Sequence, residues 1–367
     1  YLGIVHDRVA LEVMRGCTHG CRFCHAGMAT RPIRERSPER ILELSEKVLA
    51  ATGLEDLSLV SLSTCDFSRA RYMIESVATR AHAQNASVSL PSLRMDSFSV
   101  ALADAISGVR RSGLTFAPEA ATPRLRAVIN KLVTEEELIH CAVEAFRRGW
   151  TGIKLYFMIG LPTETDEDVA AIPDLCADVL RAGRRVSSRV AVRTGVSTFV
   201  PKPHTPFQWA RHIGLTETRE KHALLAERFH AHRSIAFGRH MPETSFIEGL
   251  ISRGNRHTAD LIEAAWRRGA RLESWDEHVH FGAWLDALEE TGYSADTAFR
   301  ARGLNERLPW DHIDTLVDPN WLREEWTRAT LLEEVRDCRA GKCNRCGVMR
   351  HAPDLCRIAL EARANAV

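Results

Sequence analysis

Short apolar runs and helix-like segments alternate along the chain through residue 236. The runs predict six strands, at residues 9–14, 57–62, 87–90, 114–117, 152–159 and 190–200. Apolar residues at helical spacing predict six helices that follow these strands, at residues 39–51, 68–83, 98–111, 135–149, 167–183 and 216–232. Two of the helices have clear start signals, because Ser37 precedes Pro38 and a capping box begins at Thr134. The pattern therefore predicts a regular series of strand–helix units.

Six consecutive strand–helix units predict an α/β fold with a parallel sheet and right-handed crossovers. Six is fewer than the eight units of a closed barrel, so we expect a partial (βα)6 TIM-like barrel over residues 1–236. Residues 237–335 show helical patterns without an obvious strand and predict a helical extension, and residues 336–367 form a Cys-rich tail. In such barrels the chemistry takes place where the strands end. This rule predicts one functional rim, formed by residues 17–24, 63–66, 94, 119, 161–165 and 202–208.

The overall charge is almost balanced, with 49 basic and 48 acidic residues among 367. A nucleic-acid partner is therefore not expected, although a neutral total also accommodates a local basic patch. No apolar run approaches the roughly 18 residues of a spanning helix, and the start does not resemble a signal peptide, so we expect a cytoplasmic protein without a membrane partner. Because the chain begins at Tyr1 without a methionine, we expect that further residues precede it in the full protein.

The ten cysteines are unevenly distributed: three lie within residues 17–24 and four within residues 338–356. Tight clusters of this kind are more typical of metal sites in a reducing compartment than of disulfides, so two metal-binding regions are predicted. Cys141 and Cys176 fall in predicted helices and are expected to be small buried hydrophobes. Cys65 ends the second strand on the predicted rim, where contact with a substrate is the alternative to packing.

The first cluster is the sequence RGCTHGCRFC at residues 15–24, in which Cys17, Cys21 and Cys24 have C-x3-C-x2-C spacing. Three thiolates this close can bind three corners of a [4Fe–4S] cluster and leave one iron without a protein ligand. A small molecule can then chelate that iron. The alternative is a zinc loop in which His19 or His25 is the fourth ligand.

This cysteine triad, with the aromatic Phe23 before its third member, resembles the radical S-adenosylmethionine (SAM) superfamily, and the resemblance extends over residues 1–236. It implies a [4Fe–4S] cluster whose open iron binds SAM. It also implies reductive cleavage of SAM to a 5′-deoxyadenosyl radical that abstracts hydrogen from a substrate. An electron donor such as flavodoxin or ferredoxin is implied as a partner.

Further segments resemble one branch of this superfamily, whose members are often fused behind a cobalamin-binding-like domain. They are GLTFAPEAATPRLR at 113–126, IKLYFMIGLPTETDED at 153–168, VSTFVPKPHTPFQW at 196–209 and DCRAGKCNRCG at 337–347. No such domain precedes Tyr1, so cobalamin is not expected in this chain.

The resemblance also indicates where SAM would bind. The Gly-Gly-Glu segment that many members use for the SAM amino group is missing, and Ser63 or Thr64 takes its place. Glu119 ends the fourth strand, where a carboxylate accepts from ribose hydroxyls; a helix N-terminal carboxylate is the alternative. Four basic residues lie on or just after strands: Arg94, Lys154, Arg193 and Lys202. One or two of them would bind a SAM carboxylate or an anionic substrate, and the alternative for each is a solvated side chain. The candidate cofactor-binding residues are Ser63, Thr64, Arg94, Glu119, Gly160, Leu161, Pro162 and Arg193.

The second cluster has the pattern Cys338-x4-Cys343-x2-Cys346-x9-Cys356, with His351 between the last two cysteines. Four cysteines in so short a segment predict a metal site, and their uneven spacing favours an auxiliary [4Fe–4S] cluster over the alternative, zinc. Either Cys356 is the fourth ligand, or one iron of this cluster also has no protein ligand. In the superfamily an auxiliary cluster accepts an electron, anchors substrate or donates sulfur.

The sequence therefore predicts a radical SAM enzyme that acts on a polar small molecule, with sulfur insertion as the favoured reaction. The alternatives within enzymes are methylthiolation of tRNA or protein, radical rearrangement or dehydrogenation, and cobalamin-assisted methylation. A catalytically idle Fe–S or zinc binding module is the alternative outside enzymes. A structural site would gain from a fourth cysteine in the first cluster, which argues against that last alternative.

Overall fold

The structure, a computed structural model, describes residues 7–90, 100, 114–340 and 343–364. Arg94 and all but one residue of the predicted helix 98–111 lie outside this range. The strands are β1 (Val9–Glu12), β2 (Met14–Arg15), β3 (Arg34–Glu35), β4 (Asp56–Val60), β5 (Ser87–Ser89), β6 (Leu114–Glu119), β7 (Gly152–Ile159), β8 (Ala191–Thr198) and β9 (Ala236–Arg239).

The described α-helices follow in chain order. They are α1 (His25–Ala29), α2 (Pro38–Thr52), α3 (Ala70–Ala83), α4 (Pro123–Val128), α5 (Glu135–Arg147), α6 (Asp166–Arg184), α7 (Leu215–Phe229), α8 (Pro242–Arg253), α9 (Thr258–Arg267), α10 (Phe281–Thr291), α11 (Ala295–Phe299), α12 (Pro319–Thr330) and α13 (Pro353–Ala364). None of these helices combines the length and the apolar character that crossing a membrane requires.

The main strands form two parallel sheets. One has the order β1-β4-β5 and the other the order β6-β7-β8-β9, while β2 and β3 pair as a small antiparallel ribbon. The α/β fold with parallel sheets is thus confirmed. Two details differ from the prediction. The predicted first strand is divided into β1 and β2, and β9 is an additional parallel strand beside β8.

Each sheet is covered by helices on one face. Apolar side chains of β1, β4 and β5 pack with α2 and α3, and those of β6, β7 and β8 pack with α5, α6 and α7. Burial alternates strictly along β7, so Ile153, Leu155 and Phe157 face the helices. Side chains alternate between the two faces of a strand, so Lys154 and Tyr156 lie on the opposite face.

The helix starts follow from local chemistry. Ser37 caps α2 by accepting a hydrogen bond from the Arg40 N–H at 3.2 Å, and Pro38 occupies the first turn, where no donor is needed. Thr134 and Glu137 form the predicted capping box at α5. Gly53 ends α2 with φ of 67°, a left-handed conformation that favours glycine.

The C-terminal half packs in two parts. Residues of α8 to α11 form an apolar core of their own, which includes Leu250, Leu261 and Trp284. Residues that follow α11 pack instead on the barrel side, where Trp310 and Trp321 contact a cluster that includes Met28 of α1. These residues therefore pack against α1.

Candidate active site and the two cysteine clusters

The first cysteine cluster lies in the loop between β2 and α1. Cys24 is the N-cap of α1, and its Sγ accepts a hydrogen bond from the Gly27 N–H at 3.3 Å. A Cβ added at Gly27 would lie 3.4 Å from Cys24 Sγ and 3.9 Å from Cys17 Cβ. The Cys24 N–H donates to the Cys21 carbonyl at 3.1 Å. The loop therefore folds its cysteines around the first turn of α1.

The three cysteines are partly buried, and their thiols are close enough to influence one another. Burial, with a smaller contribution from the charge of Cys21, raises the pKa of Cys17 to about 11. Burial likewise raises the pKa of Cys21 and of Cys24. Cluster ligands are thiolates, so binding a cluster here must release protons. Nowhere in the described ranges are three or more His, Cys, Asp or Glu side chains already arranged around one metal position. The donor set nevertheless fits three corners of a [4Fe–4S] cluster.

An ion pair lies beside this cysteine loop. Glu119, the last residue of β6, has a left-handed backbone with φ of 67°, and its Oε1 lies 3.7 Å from Lys131 Nζ. Burial raises the pKa of Glu119, and the Lys131 ammonium opposes that shift. Burial also disfavours the ammonium, yet the charges of Cys21, Glu119 and Cys24 together raise the pKa of Lys131. Glu119 therefore lies next to the triad, while its contact with SAM stays a prediction, and Lys131 is a cation that the sequence did not single out.

The hydroxyl groups predicted to replace the Gly-Gly-Glu segment are used within their own loop. Ser63 Oγ donates to the Asp66 carboxylate, which also pairs with His19 Nε2 at 2.6 Å. Thr64 is fully buried, and its Oγ1 lies 2.8 Å from Ser61 Oγ. Contact of Ser63 or Thr64 with SAM stays a prediction, and it would require these hydrogen bonds to be exchanged.

The segment Gly160–Leu161–Pro162 follows β7 and lines a cavity of about 400 Å³. Gly160 has φ of 82°, and its N–H donates to the Glu164 carboxylate at 2.8 Å. The Leu161 N–H reaches the same carboxylate at 3.4 Å, and Lys221 Nζ pairs with it at 3.1 Å. Two backbone donors of this segment are therefore already engaged by a buried carboxylate.

The basic residues singled out from the sequence do not share one location. Lys202 binds Ser252 Oγ at 3.0 Å and pairs with Glu248, so it joins the barrel to α8. Arg193 is the third residue of β8 and is in register with Lys154 of β7. Both therefore lie toward the N-terminal ends of their strands, about 16 Å from the strand ends at a rise of about 3.3 Å per residue.

The four C-terminal cysteines line one cavity: Cys338, Cys343, Cys346 and Cys356. Burial raises the pKa of Cys338 to about 11, and Cys346 and Cys343 contribute in the same direction. Thr18 and Ile33 line the same cavity, so its wall includes a residue of the first cysteine loop. The four cysteines therefore lie near one another, while metal binding here and the identity of the metal stay predictions.

A buried arginine lies between the two cysteine groups. Arg31 is 7% exposed, its Nε donates to the Gly27 carbonyl at 3.0 Å, and its guanidinium lies 5.0 Å from the Trp321 ring centroid. Its Nη2 has no hydrogen-bond partner among the residues that the structure describes. The charge of Arg31 lowers the pKa of Cys17, on one side, and of Cys338, on the other. No motif in the sequence pointed to it.

Residues 325–339, the C-terminal strap, bind directly to the first cysteine loop. Arg22 Nε pairs with Glu325 Oε2 at 3.1 Å, and both side chains are at most 1% exposed. Asn130 Nδ2 donates to the carbonyls of His19 at 3.2 Å and Val335 at 2.9 Å. Arg339 Nη1 donates to the Asp66 carbonyl at 3.0 Å. The strap therefore covers the loop that carries the triad.

The scattered cysteines behave mainly as packing residues. Cys141 and Cys176 are buried in the core of the second sheet, as predicted, and Cys176 Sγ lies 3.3 Å from Thr194 Oγ1. Cys65 packs partly against the core of the first sheet, and contact with a substrate stays a prediction. Within the described ranges, no cysteine forms a disulfide.

Comparison with known proteins found one curated relative and several similar solved structures. An uncharacterised protein of Methanocaldococcus jannaschii, MJ0966, is 32% identical over 198 residues, which cover 54% of this chain and 42% of that protein. Among solved structures, the radical SAM methyltransferase TsrM of Kitasatospora setae with cobalamin and a [4Fe–4S] cluster is similar with 20% identity and a TM-score of 0.43, covering 54% of this chain and 38% of that one. Streptococcus suis SuiB bound to SAM is similar with 11% identity and a TM-score of 0.45, covering 66% and 52%.

This chain thus spans less than half the length of the curated relative that it matches. A match to a family model covers the first cysteine loop, β4, β6, β7 and most of α6. Residues 11–176 match the family described as the radical SAM superfamily. These residues therefore form a radical SAM domain.

Proposed function

We propose that this chain is an enzyme that cleaves SAM reductively and uses the radical to modify a polar small molecule by inserting sulfur. The family supports the first half of this proposal, since it implies a [4Fe–4S] cluster and SAM. One observation supports the second half: four cysteines line a cavity whose wall includes Thr18 of the first cysteine loop. A second cluster bound there would lie close to the first.

The two clusters would supply the electron that cleaves SAM and, at the second site, a sulfide for the substrate. The residues of the chain would bind and orient these groups. Cys17, Cys21 and Cys24 would hold the first cluster and leave one iron open, because their loop contains no fourth cysteine. Cys338, Cys343, Cys346 and Cys356 would hold the second.

Glu119 and Lys131 are placed to bind SAM and to balance charge. The Glu119 carboxylate would accept hydrogen bonds from ribose hydroxyls or from the SAM ammonium group. The Lys131 ammonium would offset the negative charge that three thiolates bring into a buried loop, since it already interacts with Cys21 and Cys24.

A carbon radical also requires that water be excluded. Aromatic and apolar side chains pack together near the C-terminal ends of β7 and β8: Phe23, Met158, Phe199, Phe207 and Trp326. Phe207 makes edge-on contacts with both Phe199 and Trp326, at centroid distances of 5.9 and 6.0 Å. This apolar wall would shield the reacting centre from solvent.

The test uses anaerobically reconstituted protein with SAM and a reductant, either dithionite or flavodoxin. We expect 5′-deoxyadenosine from wild type, and about eight irons per chain that fall to about four in the triple variant Cys17→Ala/Cys21→Ala/Cys24→Ala. Cys176→Ala is the matched control, since it removes a thiol outside both clusters and should keep the full iron content.

Two results would contradict the proposal. Wild type that forms no 5′-deoxyadenosine would refute SAM cleavage. Zinc at the C-terminal cysteines would refute sulfur donation, since a zinc site holds no bridging sulfide, and would leave rearrangement or dehydrogenation as the better account. The expectation that cobalamin is not required is checked in the same assay, by comparing product with and without added cobalamin.

A further inference from the structure

The face of the second sheet that points away from its helices contains a cavity of about 320 Å³. Strands β7, β8 and β9 form it. Lys154, Arg193 and Ala236 are aligned across these strands, and Tyr156 is aligned with Gly195 and Gly238 two residues further along. The neighbouring residues Ile153 and Leu155 face the helices, so Lys154, Tyr156 and Arg193 face the cavity.

Two glycines keep the cavity open. A Cβ added at Gly195 would lie 2.7 Å from Cε1 of the Tyr156 ring and 3.2 Å from Lys154 Cε. A Cβ added at Gly238 would lie 3.1 Å from the Thr194 carbonyl oxygen. Side chains at these aligned positions would therefore collide with Tyr156 or crowd the backbone. The lack of side chains at Gly195 and Gly238 leaves bare backbone beside the Tyr156 ring.

The cavity is lined by cations without a compensating acid. Lys154, Arg193 and Arg239 line it, and the lining residues that the structure describes include no carboxylate. Lys154 Nζ binds Tyr156 Oη at 2.6 Å and lies 4.4 Å from the ring centroid, but this partner is neutral and leaves the charge uncompensated. Arg193 is exposed. Lysine and arginine only donate hydrogen bonds, so a complementary ligand must bring acceptors and negative charge.

The position of the cavity connects it to the proposed chemistry. Tyr156 and Gly195 each lie three residues before the end of their strand, at Ile159 and Thr198. At about 3.3 Å per residue this is about 10 Å from the strand ends, where the radical would form. A distance of about 10 Å is one that a medium-sized molecule can span.

We infer that Lys154 and Arg193 bind an anionic group, a phosphate or a carboxylate, of the substrate. That an anion binds here is inferred from the cavity alone. That this anion is the substrate rests on the proposed function. It narrows the substrate from a polar molecule to an organic anion. The alternative is that Lys154 and Arg193 are solvated cations that show no preference among anions.

The experiment is isothermal titration of the anaerobic full-length protein with phenyl phosphate and with benzoate, which share a ring and differ in the anion. At least one of the two probes is expected to bind, and the tighter binder shows whether the cavity prefers a phosphate or a carboxylate. Lys154→Met and Arg193→Met are each expected to weaken that binding at least about tenfold, as for a lost charged hydrogen bond. Arg233→Met removes the same charge from an exposed position outside the cavity and is the control.

Absence of binding by both probes, or equal weakening by Arg193→Met and Arg233→Met, would overturn the inference. SAM cleavage by wild type, measured on the same preparation, decides the proposed function separately. Anion binding without 5′-deoxyadenosine formation would leave the cavity assignment intact and refute only the proposed function. Formation of 5′-deoxyadenosine without anion binding would refute the cavity assignment and leave the proposed function intact.

Discussion

Replacing Glu325 by alanine is expected to destabilise the protein by about 3–5 kcal/mol, the range for breaking a buried ion pair. The reason is that Arg22 stays behind as a buried charge. Its side chain is fully buried, and it also donates to the carbonyls of Ala127, Val128 and Glu333 at 2.6–3.0 Å, so it cannot turn toward solvent without losing those bonds. Burial already lowers the pKa of Arg22, and Glu325 opposes that shift.

The measurement is urea unfolding of the full chain, followed by tryptophan fluorescence. With a slope of about 3 kcal/mol per molar urea, the midpoint should fall by roughly 1 M or more. Glu324→Ala is the matched control on the same helix, because Glu324 is 62% exposed and pairs with Arg328 at 3.6 Å. An exposed pair of this kind contributes at most about 1 kcal/mol.

The double variant Arg22→Met/Glu325→Ala separates the ion pair from general packing. If the pair is coupled, the double variant should be at least about 2 kcal/mol more stable than the sum of the two single changes predicts. A midpoint for Glu325→Ala no lower than that for Glu324→Ala would refute the argument, and additive single effects would show that the two charges do not depend on each other.

Four further predictions concern the site and its surroundings. Glu119→Ala should weaken SAM binding by about 1.5–3 kcal/mol, roughly 10- to 150-fold, with unchanged iron content; unaltered affinity in equilibrium dialysis would make Glu119 a structural residue only. Arg31→Met should shift the reduction potentials of the bound clusters to more negative values, since it removes a positive charge near Cys17 and Cys338. EPR-monitored redox titration measures the shift, and Arg31→Lys should recover part of it. Identical potentials in wild type and Arg31→Met would contradict the placement of the Arg31 charge near the clusters. Cys343→Ala should lower the ratio of sulfur-containing product to 5′-deoxyadenosine at least tenfold, and an unchanged ratio by mass spectrometry would exclude sulfur donation from this site. Burial and the charge of Arg253 lower the pKa of His212 from 6.5 to about 4. Between these pH values the unfolded chain binds more protons than the folded chain, so the free energy of unfolding falls as the pH drops from 6.5 to 4. His212→Gln should remove up to about 3 kcal/mol of this pH dependence, and parallel pH–stability curves for wild type and variant would refute this prediction.

Strands and helices were predictable where they alternate in burial or carry clear end signals. The eight-residue strand β7 and the capped helix α5 are examples, since each has the apolar period of its own structure. Strand β9 was missed because it is short, contains a glycine and an arginine, and is largely exposed. It forms by pairing with β8, and no local pattern encodes that pairing.

The spatial grouping of the cysteines was predictable because their spacing along the chain carries the signal, whereas their role as ligands stays a prediction. Lys131, Arg31 and Asn130 were not predictable, because each acts through contacts with residues distant in sequence. Asn130 Oδ1, for example, accepts a hydrogen bond from the Val335 N–H at 2.8 Å. The same limit applies to Ser63, since its bond to Asp66 depends on the conformation of the loop after β4. Spacing predicts ligands, whereas tertiary packing determines their neighbours.

The burial of Arg22 by the C-terminal strap has a consequence for biosynthesis. The loop that carries Cys17, Cys21 and Cys24 leaves the ribosome long before Glu325 and Arg339 are made. At 5–20 residues per second the delay is roughly 15–60 s. Throughout that interval the triad lacks the cover that the finished chain places over it, and an iron–sulfur carrier can approach it directly. Cluster loading during translation is therefore sterically easier than loading after the strap has closed.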